Sequence, residues 1–404
     1  MPSSMIATTL PGTAEVTIPT HDELVAEARR LVPLLREKAE ATEKRRSMLP
    51  EIVDQINSTT IQRCLVPRRW GGHELGFNAC AATAMELARG CTSSAWCTMF
   101  SGAHAWIVCH YDEKAQAEVF ASGPDVRVAG IFAPMGRARR VEGGFDLSGE
   151  WPWASNIEHS QWVILGSFIE NESPPHLQLF LLDSSQFTWK DTWFNAGLCG
   201  TGSNTTVVQN AFVPEHRVIP IEWATEGLGS GVESNPNPLY RSPFATGFGA
   251  LVATAALGAA RGAYEQFRDW TRDRVSGTTG LGVAERTPVQ IALAETAAEI
   301  DAAEMLLQRC LDRASDPDTL DYRTRVTCRR DTTYAAKMLV RAIDRLQGIG
   351  AARGLMSSNS LQRAWRDVHA ATAHILFNFD GVGERYGRME LGLEPPPRER
   401  DPYY

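Results

Sequence analysis

The hydrophobic pattern of this chain changes period twice, near Arg127 and again near Thr246. Between those points, residues 126–129, 144–148, 162–165, 178–182 and 205–208 are short strand-like runs separated by Gly, Asn, Pro and Ser. The spacing leaves little room for helices among them. Strands this dense exclude a doubly wound sheet and predict an antiparallel barrel or sandwich.

Helical patterns flank this region on both sides. Thr20-His21-Asp22-Glu23 is a capping box, in which hydroxyl and carboxylate each satisfy an orphan N–H. Leu24, Ala28, Leu31 and Leu35 follow at helical spacing and predict a helix to about Met48. Residues 50–57 predict a short helix, and 77–90, 93–110 and 112–121 predict three more. The middle one is almost wholly apolar, which implies burial on all sides. Residues 225–242, rich in Gly, Ser, Asn and Pro, predict a loop or linker. Helices then return at 246–275, and Thr287-Pro288-Val289-Gln290 predicts a second capping box opening another. Ala335, Met338, Ala342, Leu346 and Ile349 mark a third, and 361–374 a fourth. The Gly-rich stretch 276–282 reads as a flexible loop able to act as a lid. The expected organisation is a disordered arm (1–19), an N-terminal helical domain (20–125), a β domain (126–224), a linker loop (225–242), a C-terminal four-helix bundle (243–392) and a tail (393–404).

Charge and motifs narrow the function. Lys plus Arg is 40 against 48 Asp plus Glu, a net −8 without a basic block, which argues against nucleic acid. No apolar run approaches the ~18 residues of a membrane span. The N-terminus lacks a basic segment followed by an apolar core, so no secretory signal is expected. The eight cysteines form no C-x-x-C and no Cys/His zinc pair, which fits reduced thiols in a cytoplasmic protein without a metal. There is no P-loop, H-E-x-x-H or G-x-S-x-G. Gly348-Ile349-Gly350-Ala351-Ala352-Arg353-Gly354 follows a helix rather than a strand, so dinucleotide-fold mechanics do not apply to it.

Two sets of residues remain as candidates for chemistry. In Gly149-Glu150-Trp151-Pro152-Trp153-Ala154-Ser155-Asn156, an indole followed by a small hydroxyl residue can stack on a planar ring and hydrogen-bond its edge. The alternative is that both tryptophans fill the core of the β domain. His104, His110, His369 and His374 lie among apolar residues, where each imidazole needs a partner.

These motifs, in this order, resemble the acyl-CoA dehydrogenase fold and, within it, the flavin-dependent monooxygenases that serve as oxygenase components of two-component aromatic hydroxylases. The resemblance spans roughly residues 20–392. Its carriers are Phe132-Ala133-Pro134-Met135-Gly136-Arg137-Ala138, the 151–156 cluster, Gly197-Leu198-Cys199-Gly200-Thr201-Gly202-Ser203-Asn204, Val213-Pro214-Glu215-His216-Arg217-Val218 and the 365–374 segment. It implies a mainly α fold with a central β domain, and a homotetramer. It also implies reduced FMN or FAD delivered by a separate NAD(P)H:flavin reductase, with O2 as co-substrate. A small aromatic or nitrogen-containing substrate would be hydroxylated through a C4a-hydroperoxyflavin. By the same resemblance Trp153 lies against the flavin ring, Ser155 bonds near flavin N5, and His104 and His374 border the reactive edge. Arg274, with Gln347 and Gly348 of a neighbouring subunit, lies near the phosphate or adenylate end. His369 is a weaker candidate than His374.

Two departures matter. Acyl-CoA dehydrogenases of this fold use a catalytic Glu, yet Thr372-Ala373-His374-Ile375-Leu376-Phe377-Asn378 holds no carboxylate. A dehydrogenase or a nitrogen-oxidising relative is the alternative reading. Gly130-Ile131 stands where some phenol hydroxylases carry a Ser that contacts the substrate.

Overall fold

The computed structural model describes residues 18–277 and 279–396; most of the expected arm, and the tail from residue 397, lie outside them. Helix α1 (His21–Arg45) opens on the predicted capping box. The Thr20 hydroxyl accepts from the Glu23 N–H at 3.2 Å, and the Glu23 carboxylate accepts from the Thr20 N–H at 2.7 Å. The helix stops short of Met48 because Arg46 turns left-handed, at φ 61°. From there its guanidinium holds Asp191 through two 2.6 Å bonds. Helices α2 (Pro50–Asn57), α3 (Gly76–Ala88), α4 (Thr92–Val108) and α5 (Glu113–Val119) follow. Every residue of α4 is buried, as its composition predicts.

Strands β1 (Val128–Val141), β2 (Gly144–Ala154), β3 (Trp162–Ile169), β4 (Leu177–Asp183), β5 (Thr188–Lys190), β6 (Asn204–Pro214) and β7 (Val218–Pro220) form one sheet, in the order β5-β6-β2-β1-β3-β4-β7. The pairings are antiparallel except one: β1 and β3 run parallel. Strand β3 starts at the end of the sheet where β2 finishes, on the far side of β1, and so must run with β1. Phe145 on β2 meets Phe180 on β4 edge-on at 5.5 Å although two strands separate them. The sheet therefore curls around its own core of Leu147, Trp151, Val163, Leu165 and Phe180.

The expected linker is folded. It holds α6 (Ile221–Glu226), α7 (Ser230–Glu233) and a 3-10 turn, Pro238–Arg241. The Trp106 indole donates to the Leu239 carbonyl at 3.0 Å, and the Tyr240 hydroxyl to the Leu65 carbonyl at 3.2 Å. Turn-forming residues dominate the composition there, but two buried apolar side chains anchor it.

Helices α8 (Phe244–Arg272), α9 (Thr287–Ala314), α10 (Tyr322–Gly354), α11 (Ser360–Thr372) and α12 (Phe379–Glu390) complete the chain. The second capping box does not form. Arg286 is the extended residue before α9, so Thr287 already lies inside the helix and caps nothing. The two ends of the proposed lid are tied together: the Ser276 N–H donates to the Leu281 carbonyl at 2.9 Å, and Val275 bridges Gly282. By length and composition α8 contains a window apolar enough to cross a membrane, yet 94% of that window is buried inside this fold. It packs against α3 and α4 as well as α9, α10 and α11. Helices from both ends of the chain therefore share one hydrophobic core, and the sheet keeps a second.

Candidate functional site

Helix α4 carries Trp96, Phe100 and His104 at four-residue spacing, which stacks them on one face. Helix α8 brings Phe244 and Phe248 opposite, stacked at 4.1 Å. Strand β1 adds Phe132. The His104 ring lies 5.2 Å from Phe100, 5.7 Å from Phe132 and 6.1 Å from Phe248. His374 closes the wall, 6.0 Å from Trp96 and 6.2 Å from Phe100. The fold thus brings His104 and His374, from opposite halves of the sequence, onto one wall. Of this wall, sequence reading found the histidines and missed the role of the rings; the i, i+4 repeats Trp96/Phe100/His104 and Phe244/Phe248 were the available signal.

The backbone sets the two imidazoles in opposite tautomers. His104 Nδ1 lies 3.0 Å from the Val128 carbonyl, an acceptor only, so Nδ1 carries the proton and Nε2 a lone pair. His374 Nδ1 accepts from the Leu376 N–H at 3.3 Å, so its Nε2 carries the proton. Burial among aromatic rings pushes both pKa values down to about 4, with each ring also near a positive or titratable neighbour: His374 for His104, Arg329 for His374. Both are neutral at pH 7. One offers an acceptor and the other a donor. A Cβ at position 130 would sit 3.0 Å from His104 Nε2, so glycine there keeps that edge open.

His374 is not on the last turn of α11, where sequence periodicity predicts it. The helix ends at Thr372, and His374 caps the 3-10 turn Ile375–Phe377. His369 stays on α11 and is half-buried, bonded to Asp344 at 2.9 Å. It does not join the wall.

The tryptophan cluster divides. Trp151 is fully buried, donates to the Gly166 carbonyl at 2.8 Å, and presses so closely on Gly136 that a Cβ there would lie 2.0 Å from its ring. It is the core residue of the alternative reading. Trp153 is 63% exposed with φ 71°, a conformation disfavoured for a bulky residue and held here without core packing. Ser155, two residues on, accepts from the Trp96 indole N–H at 3.1 Å and lies 2.8 Å from the Ser203 hydroxyl. Ser203 in turn lies 2.6 Å from the Thr201 hydroxyl, which donates to the Leu198 carbonyl at 2.9 Å. Trp96 thus links Ser155 to the His374 wall.

Arg274, Gln347 and Gly348 lie elsewhere. Arg274 follows α8, with its guanidinium over the Trp270 ring at 4.4 Å. Burial and the charges of Arg353 and Arg286 hold its pKa below the ordinary value. Its Nη1 is buried without a partner, as are both amide atoms of Gln347. Gly348 is exposed, near the kink of α10 at Ala351. Trp270, Phe267, Arg353 and Arg36 line a cavity of about 540 Å³ at this end. Arg274, with an unused donor and the charges of Arg353 and Arg286 beside it, fits an anionic group such as a phosphate.

The buried carboxylates among the described residues are engaged away from the aromatic wall. Glu86 bonds Arg29 and Arg89, Asp331 bonds Arg309 and Arg330, and Asp367 accepts from the Leu198 N–H at 2.7 Å. Among the described residues no three His, Cys, Asp or Glu side chains converge as a metal site.

Residues 250–379 match the family model for the acyl-CoA dehydrogenase C-terminal domain. A pigment production hydroxylase from a Rhodococcus species is 34% identical over 93% of this chain and 97% of its own. The oxygenase component of an FADH2-dependent resorcinol hydroxylase from a Rhizobium species is 33% identical over 93% of this chain and 95% of its own. The crystal structure of the HsaA monooxygenase from Mycobacterium tuberculosis superposes with a TM-score of 0.88 at 30% identity, covering 94% of this chain and 99% of that one.

Proposed function

The chain belongs to the flavin-dependent monooxygenases of acyl-CoA dehydrogenase fold, and from that premise we propose that it is the oxygenase component of a two-component hydroxylase acting on an uncharged aromatic substrate. A separate NAD(P)H:flavin reductase supplies the reduced flavin. The observation that carries the reading is the pair of neutral imidazoles, in opposite tautomers, on one aromatic wall.

Reduced flavin, when bound, supplies the electrons that activate O2. The protein's part is placement. The exposed Trp153 indole would offer a flat face to the flavin ring, and Ser155 would lie near its N5 edge. Phe100, Phe132, Phe244 and Phe248 suit a planar apolar substrate and exclude water. His104 Nε2 would accept a hydrogen bond from the substrate's hydroxyl group, and the His374 Nε2–H would donate to the oxygen side. With both imidazoles neutral, no positive charge on them attracts a substrate carboxylate. The dehydrogenase alternative needs a carboxylate base at this wall, and the buried ones are engaged elsewhere.

The arginines around Arg274, beside a cavity flanked by Trp270 and Phe267, favour a dinucleotide and hence FADH2 over FMNH2. The unpartnered amide of Gln347 and the exposed Leu355 and Met356 near it support a neighbouring copy at this end, and hence a homotetramer. Eight free, buried cysteines favour a reducing, cytoplasmic setting. The test is reconstitution. With NADH, flavin, O2 and an electron-rich phenol, product should form only when a flavin reductase is added. Hydroxylation by the lone protein with NADH would overturn the two-component reading.

A further inference from the structure

His374 is presented by a short turn whose backbone is held from far away in the sequence. In the 3-10 turn Ile375–Phe377 the Phe377 N–H donates to the His374 carbonyl at 2.9 Å, and the Asn378 N–H to the Ile375 carbonyl at 3.2 Å. Leu376 lies between them and is engaged at both ends. Its N–H donates to His374 Nδ1 at 3.3 Å, the contact that fixes the imidazole tautomer. Its carbonyl accepts from Arg329 Nη1 at 2.9 Å, across 47 residues of sequence, from helix α10. Leu376 and Arg329 are only 1% and 2% exposed, so water does not stand in for the guanidinium. Arg329 arrives from behind the aromatic wall: a Cβ on Gly249, the neighbour of Phe248, would lie 3.7 Å from Nη1.

We propose that Arg329 is a positioning residue for His374: by clamping the Leu376 carbonyl it holds the Leu376 N–H on Nδ1, and so keeps the imidazole proton on Nε2. The proposal rests on the reading of the His374 Nε2–H as the donor to the oxygen side. A neutral imidazole carries its proton on either nitrogen, and its hydrogen-bond partner decides which. Here the partner is one backbone N–H, which is placed only as well as its turn. A three-residue 3-10 turn has few bonds and poor hydrogen-bond geometry of its own. A charge-assisted bond from a planar guanidinium is stronger than a neutral one and supplies the missing rigidity. Burial first, and the Arg329 charge second, also keep the ring neutral. Arg329 therefore acts on the reaction through His374 alone.

The experiment reads the tautomer directly, in the purified flavin-free protein, by long-range nitrogen–proton NMR correlation of histidine-labelled samples. Loss of signals in His374→Ala assigns the ring. Wild-type His374 should carry its proton on Nε2. In Arg329→Met a share of that proton should move to Nδ1. Product formed per reduced flavin oxidised should fall about 10–100-fold, the worth of one hydrogen bond from a charged group. FADH2 affinity should not change. Arg329→Lys keeps a charged donor and should restore both tautomer and yield. Should Arg329→Met not fold, Arg329→Gln, which shortens the donor and removes its charge, should move the proton in the same direction. A merely structural Arg329 would lower the melting temperature and leave the tautomer alone. If a folded Met or Gln variant keeps the His374 proton on Nε2, the proposal is overturned whatever the yield, and uncoupling in His374→Ala leaves the role of His374 standing. If His374→Ala itself stays fully coupled, that role fails and the proposal fails with it.

Discussion

The two ends of the site are built on opposite terms. At the Ser155–His374 end the hydroxyls of Ser155, Ser203 and Thr201 and the Nδ1 atoms of His104 and His374 already have protein partners, and the two imidazole tautomers follow from the backbone. At the Arg274–Gln347 end, donors and acceptors are buried with nothing to bond. Buried polar groups without partners are costly, and at this end they lie where a bound molecule can complete them. The first end is organised for chemistry before anything binds; the second is organised to be filled. Changes at the first should alter what happens to bound flavin. Changes at the second should alter whether it binds.

The largest effect is expected at His374. Removing its Nε2–H leaves the caged substrate and flavin in place but takes away the donor on the oxygen side. His374→Ala should lower product formed per flavin oxidised by about 10²–10⁴-fold, with a matching rise in peroxide, while flavin affinity stays near wild type. Product and peroxide yields in single-turnover reactions measure it. Wild-type coupling in the variant would erase the distinction between the two ends.

Arg274→Gln should do the reverse. It removes a cation from a cluster shared with Arg353 and Arg286. Loss of one charged hydrogen bond to a phosphate corresponds to about 10–100-fold weaker flavin binding. Product per flavin bound should be retained. Equal binding of FADH2 and FMNH2 by the wild-type protein would instead remove the cavity beside Trp270 from the cofactor site.

Much of this was legible in the sequence where the signal is local. The Thr20–Glu23 box, the bounds of α2 and the all-buried α4 each depend on neighbours within a turn or two. The strands β5 and β7 were not legible: each is three residues on a sheet edge, and only their pairing defines them. The parallel β1–β3 pairing comes from where β3 begins, which no local pattern encodes. The second capping box failed by one residue of phase, since Thr287 enters α9 instead of preceding it. At the site, residue type identified His104, His374, Trp153 and Ser155 as candidates. Type alone did not separate Trp151 from Trp153, which share one motif and face opposite ways. Nor did it reveal that the Ser155 hydroxyl meets Ser203 and the Trp96 indole, contacts that form only when distant elements come together.

The smallest effect is expected from pH, and its absence is informative. An ordinary histidine titrates near 6.5, so a site run by ordinary imidazoles would lose its base as pH falls from 7 to 6. Here both His104 and His374 stay neutral down to about 4. Turnover measured with excess reduced flavin should therefore be flat between about pH 5.5 and 7.5 as far as these groups are concerned. Stability should not be flat. His104, His110 and His374 have folded-state values of about 4, against about 6.5 unfolded, so between those limits the unfolded chain binds more protons. Their contribution is complete above 6.5 and is lost as pH falls toward 4. Asp367, raised by burial to about 6, acts in the opposite sense, because its folded form holds the extra proton between about 4 and 6. The three histidines outweigh Asp367, and His73 and His159, also lowered by burial, act in the same sense, so unfolding takes up protons near pH 5. The melting temperature should then drop steadily from pH 6.5 to 4 while activity below the melt holds. His110→Asn, which changes a buried imidazole outside the aromatic wall, should flatten the stability curve and leave the activity profile alone. If activity instead falls with an apparent pKa near 6.5, the wall histidines are solvated in the working enzyme, and the contrast between a finished end and an unfinished one does not hold.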